Sequence, residues 1–213
     1  MTMNTQSLID MLATQAGAAP KRQVFETFSW PIVIGFATSL LLAAGFVGFL
    51  PMEGLLVHAT LIKVVYGLAL ISVLTHLTAR ACRPAAPTRG PWISTFFVIL
   101  LMMGIGLVFF MQTPAPQRVQ ALLGQTWLVG PWIVMGISLP ALIVLQIRVR
   151  RLAPVNLRLV GFELGLLAGA LGALAYSFVC PEQSLTFVAL WYTAGIMLTG
   201  FVGMAIGSKA LRW

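Results

Sequence analysis

Reactive side chains are scarce in this sequence: five acidic residues, two histidines and two cysteines among 213 residues. We find no paired carboxylates, no nucleophile with a neighbouring base, no phosphate-binding loop and no zinc spacing. His58 and His76 lie at opposite ends of one apolar run, so they cannot serve as facing axial ligands of a haem. The composition therefore predicts a protein that is not an enzyme and has no cofactor.

Charge is also scarce, at 8% of residues, whereas 59% are hydrophobic and the mean hydropathy is +0.96. A soluble domain of this size could not keep so much apolar surface away from water. Apolar runs of about 18 or more residues recur along the whole chain, as in polytopic membrane proteins. We predict an all-α fold, a six-transmembrane-helix bundle at 30–213 after a cytoplasmic segment at 1–29. The predicted spans are 30–50, 57–78, 92–112, 127–147, 158–179 and 185–207.

Basic residues are distributed unevenly between the two sides of these spans. Because the number of spans is even, both termini lie on one side. Apart from Arg118 on the other side and Lys63 inside a span, all Lys and Arg fall on the side of the termini. This bias predicts cytoplasmic termini; for a bacterium, the opposite side is the periplasm. The formal charge of +8 then reflects topology, and we expect no direct binding of nucleic acid.

Small residues recur every four positions in each of the last two spans. In lipid, this spacing lets two helix backbones approach closely, so we predict that these spans pack tightly. The two stripes are Gly161, Gly165, Gly169 and Ala173, and Gly195, Thr199, Gly203 and Gly207.

The segment from Thr5 to Ala16 can form a short amphipathic helix that places Leu8, Ile9 and Leu12 on one face. A helix of about a dozen residues is marginal in water and needs a partner surface. Absence of Lys and Arg, together with Asp10, argues against lipid as that surface. Docking on a protein partner and simple disorder both remain open.

The turn Cys180-Pro181-Glu182 joins the last two spans, and we expect it at the periplasmic interface with its thiol exposed. A lone periplasmic thiol can contact a soft metal, react with an oxidant or bridge to another chain. The alternative is a small apolar residue at a helix end. Glu53 and His58 could join Cys180 and Glu182 in a soft-metal site, although their spacing matches no known motif. Cys82, in a cytoplasmic loop, is expected to stay reduced.

Lys63 and Glu163 are charges inside predicted spans, where a charge is costly and is usually paired or functional. Lys63 can extend toward the periplasm, where Glu182 or Glu53 could reach it. Their backbones should differ in depth by on the order of 10 Å, so we do not expect Lys63 and Glu163 to pair. Arg158 or a neighbouring cytoplasmic arginine is the expected partner of Glu163.

The sequence resembles the NrsF family of six-helix bacterial inner-membrane anti-sigma factors. The resemblance is most specific in Cys180-Pro181-Glu182 followed by Phe187-Val188-Ala189-Leu190-Trp191-Tyr192-Thr193. It extends to a basic tail closing in Arg212-Trp213, to a lysine matching Lys63, and to an N-terminal Leu-Ile-x-x-Leu-Ala segment. Here that segment reads Leu8-Ile9-Asp10-Met11-Leu12-Ala13.

The resemblance implies that the protein holds an extracytoplasmic-function sigma factor at the membrane and releases it on a periplasmic redox or soft-metal signal. It implies sensing by two periplasm-side cysteines. Cys180 matches one, but Gly130 stands where the other is expected, which puts a thiol-pair switch in doubt. Two other classes stay open: a small transporter or channel subunit that uses Lys63 and Glu163, and an assembly subunit of a larger membrane complex.

Overall fold

The computed structural model describes residues 6, 10–11, 14, 22–51, 58–83, 86–152 and 156–211. In this part of the chain six long helices, with no strand, are apolar enough to cross a membrane, which confirms the predicted all-α fold. A short helix, α4, lies in the connection between the third and fourth of them. The helices are α1 (Arg22–Val47), α2 (His58–Ala81), α3 (Arg89–Gln112), α4 (Arg118–Leu123), α5 (Gly130–Arg150), α6 (Leu157–Ser177) and α7 (Leu185–Ala210).

The boundaries differ most from the expected spans at the start of the first helix. α1 begins at Arg22, eight residues before position 30, although its apolar part runs from Phe28 to Phe46. Pro31 lies inside this helix. Four of the residues 22–27 are polar, so a hydropathy pattern misses this first part of the helix: Arg22, Gln23, Glu26 and Thr27. The expected and observed starts and ends of the other spans agree within about three residues.

α6 is the central helix of the bundle. It packs against α7, α5, α2 and α1, whereas α3 lies at the edge and contacts mainly α2 and the start of α7. Nearly every residue of α6 from Val160 to Ser177 is buried, with Phe162 the exception. The many glycine and alanine residues of α6 let neighbouring helices approach it closely, whereas the more apolar α3 lies at the edge.

Consecutive long helices alternate in direction, which gives the bundle two ends. One end, the turn end, holds the last residues of α1 and α6: the Leu50 amide donates to the carbonyl of Phe178 (3.1 Å). The other, the termini end, holds the start of α6 and the end of α7, where Gly161 and Gly207 meet. An ideal Cβ on Gly207 would lie 2.7 Å from the Cα of Gly161.

The predicted close packing of the last two spans is confirmed for α6 and α7. A Cβ added to Gly161 would lie 2.6 Å from the Gly203 carbonyl oxygen, and one added to Gly169 would lie 2.9 Å from the Ile196 Cα. Gly165 faces the carbonyl oxygen of Thr199. Gly195, by contrast, faces Val134 of α5. Backbone therefore touches backbone along most of this interface, as small-residue stripes permit.

We expect Gly165→Ala to lower the midpoint of thermal unfolding in detergent. Its added methyl group would meet the Thr199 carbonyl oxygen and the Gly200 Cα, so α6 and α7 must separate. Overpacking of this kind costs about 1–3 kcal/mol. The matched control is Gly136→Ala, where a Cβ meets nothing within 4 Å. Equal midpoints for the two variants would contradict the packing described here.

Candidate functional site

Lys63 is the most unusual residue of the turn end, because its side chain is only 1% exposed. Its ammonium group extends from α2 to the turn after α6, where it donates to the carbonyl oxygens of Cys180 (3.3 Å) and Glu182. A buried ammonium needs such acceptors to offset its lost hydration. Lys63 therefore ties α2 to the turn that joins α6 and α7.

The Cys180 thiol is buried, which corrects the expectation of an exposed periplasmic thiol. The residue is free of any disulfide and 1% exposed. Its amide donates to the Tyr176 carbonyl (2.9 Å), and its surroundings include the side chains of Tyr176 and Tyr192. The tyrosine ring centroids lie 5.5 Å apart. Because the lysine bonds hold the turn against the bundle, reagents cannot reach this thiol unless the turn moves.

The Glu182 carboxylate points away from the lysine bond that was expected for it. Lys63 bonds to the Glu182 backbone, while the carboxylate accepts from the Gln125 amide (3.2 Å). Gly124 makes this contact possible. Its φ is +58°, and a Cβ there would lie 2.8 Å from a Glu182 carboxylate oxygen. With ψ at −166°, this backbone conformation is one that only glycine adopts readily.

The loop that contains α4 is bonded to the same turn, a role not visible in the sequence. Ser184 caps the start of α7 through the Phe187 amide (3.3 Å) and also donates to the Ala121 carbonyl (2.6 Å). Trp191 donates from its indole to the Leu122 carbonyl (2.9 Å). We call Lys63, the loop 121–125 and the turn 180–184 the turn site.

The family-like segment Val188–Tyr192 forms a π-helical turn inside α7. This widened turn contains Trp191, which bonds to the α4 loop, and Tyr192, which packs beside Tyr176. π-helical turns within α-helices are rare and often mark functional sites. Sequence periodicity gives no signal for a single inserted residue, so this feature was not predicted.

No described residues support the four-residue metal site considered above. Among described residues, no three His, Cys, Asp or Glu side chains come together, so His58, Cys180 and Glu182 do not form a common site. Glu53 lies outside the described residues. His58 is instead exposed and lines a cavity of about 260 Å³ with Gln183 and Ser184.

Glu163 lies near the termini end and does not meet Arg158, contrary to expectation. Its side chain is fully buried, and neither carboxylate oxygen has a hydrogen-bond partner among the described residues. The Trp92 indole lies beside it without satisfying either oxygen. Arg158 is exposed. The two residues do not meet because residues five apart in a helix lie on different faces. The expectation that Glu163 does not pair with Lys63 is confirmed, since Lys63 bonds at the other end.

Cys82, just after α2, is half-buried close to Glu163. Burial, and secondarily the Glu163 charge, raises the pKa of its thiol to about 12. The thiolate is the reactive form. Cys82 alkylation in Cys180→Ser protein should therefore be slow and rise about tenfold per pH unit from pH 7 to 10 without a plateau. Mass spectrometry of alkylated peptides measures this, and a plateau below pH 10 would disprove it.

The structure describes Gly130 but not the three aliphatic residues of the N-terminal segment. Gly130 begins α5, and an added Cβ would lie 3.4 Å from the Phe187 ring and 4.0 Å from the Thr126 hydroxyl, so a methyl group fits at this position. Leu8, Ile9 and Leu12 lie outside the described residues. Nearby Asp10, Met11 and Thr14 are helical, and the Thr14 hydroxyl donates to the Asp10 carbonyl (2.9 Å).

The fold and the turn site together define a polytopic helical membrane protein in which a buried lysine holds an interhelical turn. A family model described as "NrsF: Negative regulator of sigma F" matches residues 12–213. The chain therefore belongs to the NrsF family.

Two curated relatives are similar to the chain over nearly its whole length. The probable anti-sigma-F factor NrsF of Azospira oryzae is 30% identical over 213 residues, covering 99% of this chain and all of the relative. The anti-sigma-F factor NrsF of Caulobacter vibrioides is 30% identical over 215 residues, with the same coverage. No solved structure matches the chain.

Proposed function

We propose that this protein is an anti-sigma factor of the bacterial inner membrane. It binds an extracytoplasmic-function sigma factor on its cytoplasmic side and releases it when a periplasmic redox or soft-metal signal reaches Cys180. Membership of the NrsF family supports sigma-factor binding, since both relatives are named anti-sigma-F factors. The basic loops at the termini end support a cytoplasmic position for that end.

The proposed sensing by Cys180 is supported by its position: the thiol is buried in the turn that the Lys63 hydrogen bonds hold in place. A metal ion or an oxidant that modifies Cys180 enlarges a group that is fully packed. The turn must then leave the bundle, and the bonds from Lys63 to Cys180 and Glu182 break. A single event at the Cys180 sulfur therefore breaks both hydrogen bonds from Lys63.

The signal has a direct path from the turn to the termini end. α6 and α7 both begin or end at the turn, and their backbones touch through Gly165 and Gly161 down to Gly207. Such contacts do not deform gradually, so a shift at the turn favours a second packing of α7 on α6. Transmission requires two discrete arrangements whose balance both sites influence.

On the cytoplasmic side, we propose that the N-terminal segment with Leu8, Ile9 and Leu12 captures the sigma factor. The arginine-rich loops of the termini end speed association with acidic surfaces of the sigma factor. Cys180, Pro181 and Glu182 are the proposed sensing residues. Because Gly130 stands where the second sensing cysteine is expected, we propose that this chain senses with Cys180 alone.

A transporter or channel subunit based on Lys63 and Glu163 is less well supported. Lys63 bonds just beyond the end of α6, while Glu163 lies near its start, about 25 Å away by helical rise. Between them, α6 contains only small and aliphatic residues and Tyr176. A line of polar groups, which a transport path needs, does not run along the described part of this helix.

The proposal is tested by affinity capture of the detergent-solubilised protein from unstressed cells of its own source, with mass spectrometry of what is bound. A sigma factor in stoichiometric amount is the expected result. If the purified protein contains no sigma factor, the proposal is wrong, and transport assays of Lys63 and Glu163 variants become the next experiment.

A further inference from the structure

An apolar groove of about 590 Å³ lies between α1 and α2 in the half of the bundle nearer the termini end. The two helices barely touch, because α1 packs mainly on α5 and α6. The wall from α1 contains Phe28 and Ile32. The volume falls within the range of about 300–1,000 Å³ that is usual for small-molecule sites.

The wall from α2 is a single helical stripe. Leu68, Ile71, Thr75 and Ala79 line the groove at spacings of three and four residues, which places them on one face. From Leu68 to Arg80 this stripe is about 18 Å long, given a rise of about 1.5 Å per residue. That length is close to half of a hydrocarbon core of about 30 Å, which is one leaflet.

The mouth of the groove is basic, whereas its depth is mostly apolar, since the Ser72 and Thr75 hydroxyls there donate to carbonyls of their own helix. Arg80 and Arg83 line the mouth at the end of α2, with His76 one turn deeper. Arg80 also donates to the Pro87 carbonyl (3.2 Å), which holds its guanidinium at this level. No described carboxylate lines the groove. An occupant must therefore be apolar over about 18 Å and anionic at its end, at the depth of lipid head groups.

We propose that this groove binds an anionic phospholipid, with an acyl chain along Leu68 and Ile71 and its phosphate at Arg80 and Arg83. Phosphatidylglycerol is the probe we choose for this chemistry. Basic pockets between transmembrane helices select anionic head groups in this way, and the arginine fork suits phosphate oxygens. The site is independent of the turn site and does not rest on sigma-factor binding.

Native mass spectrometry of the full chain in mild detergent tests this site. With phosphatidylglycerol and phosphatidylcholine of equal chain length, the anionic lipid should be bound at least about fivefold better. Arg80→Gln with Arg83→Gln should reduce its binding by about fivefold for each arginine. Arg83→Gln alone leaves the Arg80–Pro87 hydrogen bond intact and should reduce phosphatidylglycerol binding by about fivefold.

The matched control is Arg150→Gln with Arg158→Gln, which removes the same charge from exposed positions at the same end. It should leave phosphatidylglycerol binding unchanged. Equal binding of the two lipids, or equal losses in the two double variants, would overturn the proposal. So would a rise in lipid binding after deletion of residues 1–16, because the groove would then hold that segment in the intact chain.

Discussion

Lys63→Met is expected to make Cys180 react with a thiol reagent at least about tenfold faster than in the parent protein. The substitution keeps an apolar chain of similar length but removes both bonds to the turn. Each buried carbonyl left without a donor costs about 1–3 kcal/mol, and 1.4 kcal/mol is a factor of ten. Opening of the turn then becomes correspondingly more frequent.

The measurement uses a membrane-impermeant maleimide on spheroplasts of cells that express Cys82→Ser protein, so that Cys180 is the thiol followed. Lys209→Met is the matched control, because it removes a lysine from the termini end and should label like the parent. Equal labelling rates for Lys63→Met and Lys209→Met would show that the Lys63 hydrogen bonds do not protect Cys180.

Deletion of residues 1–16 is expected to abolish capture of the sigma factor while membrane insertion stays intact. The six long helices begin at Arg22, so the deletion leaves every predicted span whole. The amount of sigma factor that copurifies with the tagged protein gives the result, and carbonate-resistant membrane association confirms insertion.

Two sets of alanine substitutions test whether the apolar face of this segment, rather than the segment as a whole, binds the sigma factor. Leu8→Ala, Ile9→Ala and Leu12→Ala together should reduce capture as the deletion does. Changing the exposed Gln6 and Thr14 to alanine should leave capture unchanged. If both sets of substitutions behave alike, the face defined by the three aliphatic residues is not the binding surface.

The sequence allowed the large features of the fold to be predicted because they follow from composition and spacing. Apolar runs mark the six helices, since the bilayer fixes their length. The stripes containing Gly161 and Gly203 indicate close helix contact, since only small residues permit it. Lys63 stands out because a charge within an apolar run needs a partner.

The partners of these residues could not be predicted. Lys63 bonds to backbone carbonyls, which every residue carries, so no sequence pattern distinguishes the carbonyls of Cys180 and Glu182 as acceptors. The burial of Cys180 depends on how the turn folds back, and the contact between Glu182 and Gln125 depends on the loop before α5. Glu163 was expected to pair with an arginine because a charge within a span is usually paired. Its burial without a hydrogen-bond partner among the described residues is a tertiary effect that no sequence pattern indicates.

The most direct test of coupling between the turn site and sigma-factor binding compares membranes that contain parent protein with membranes that contain Lys63→Met. The quantity to measure is the sigma factor bound per molecule of protein in inner-membrane vesicles from unstressed cells. We expect stoichiometric binding to the parent and loss of most of it in the variant, with Lys209→Met like the parent. Equal binding to all three proteins, or none to the parent, would contradict the account.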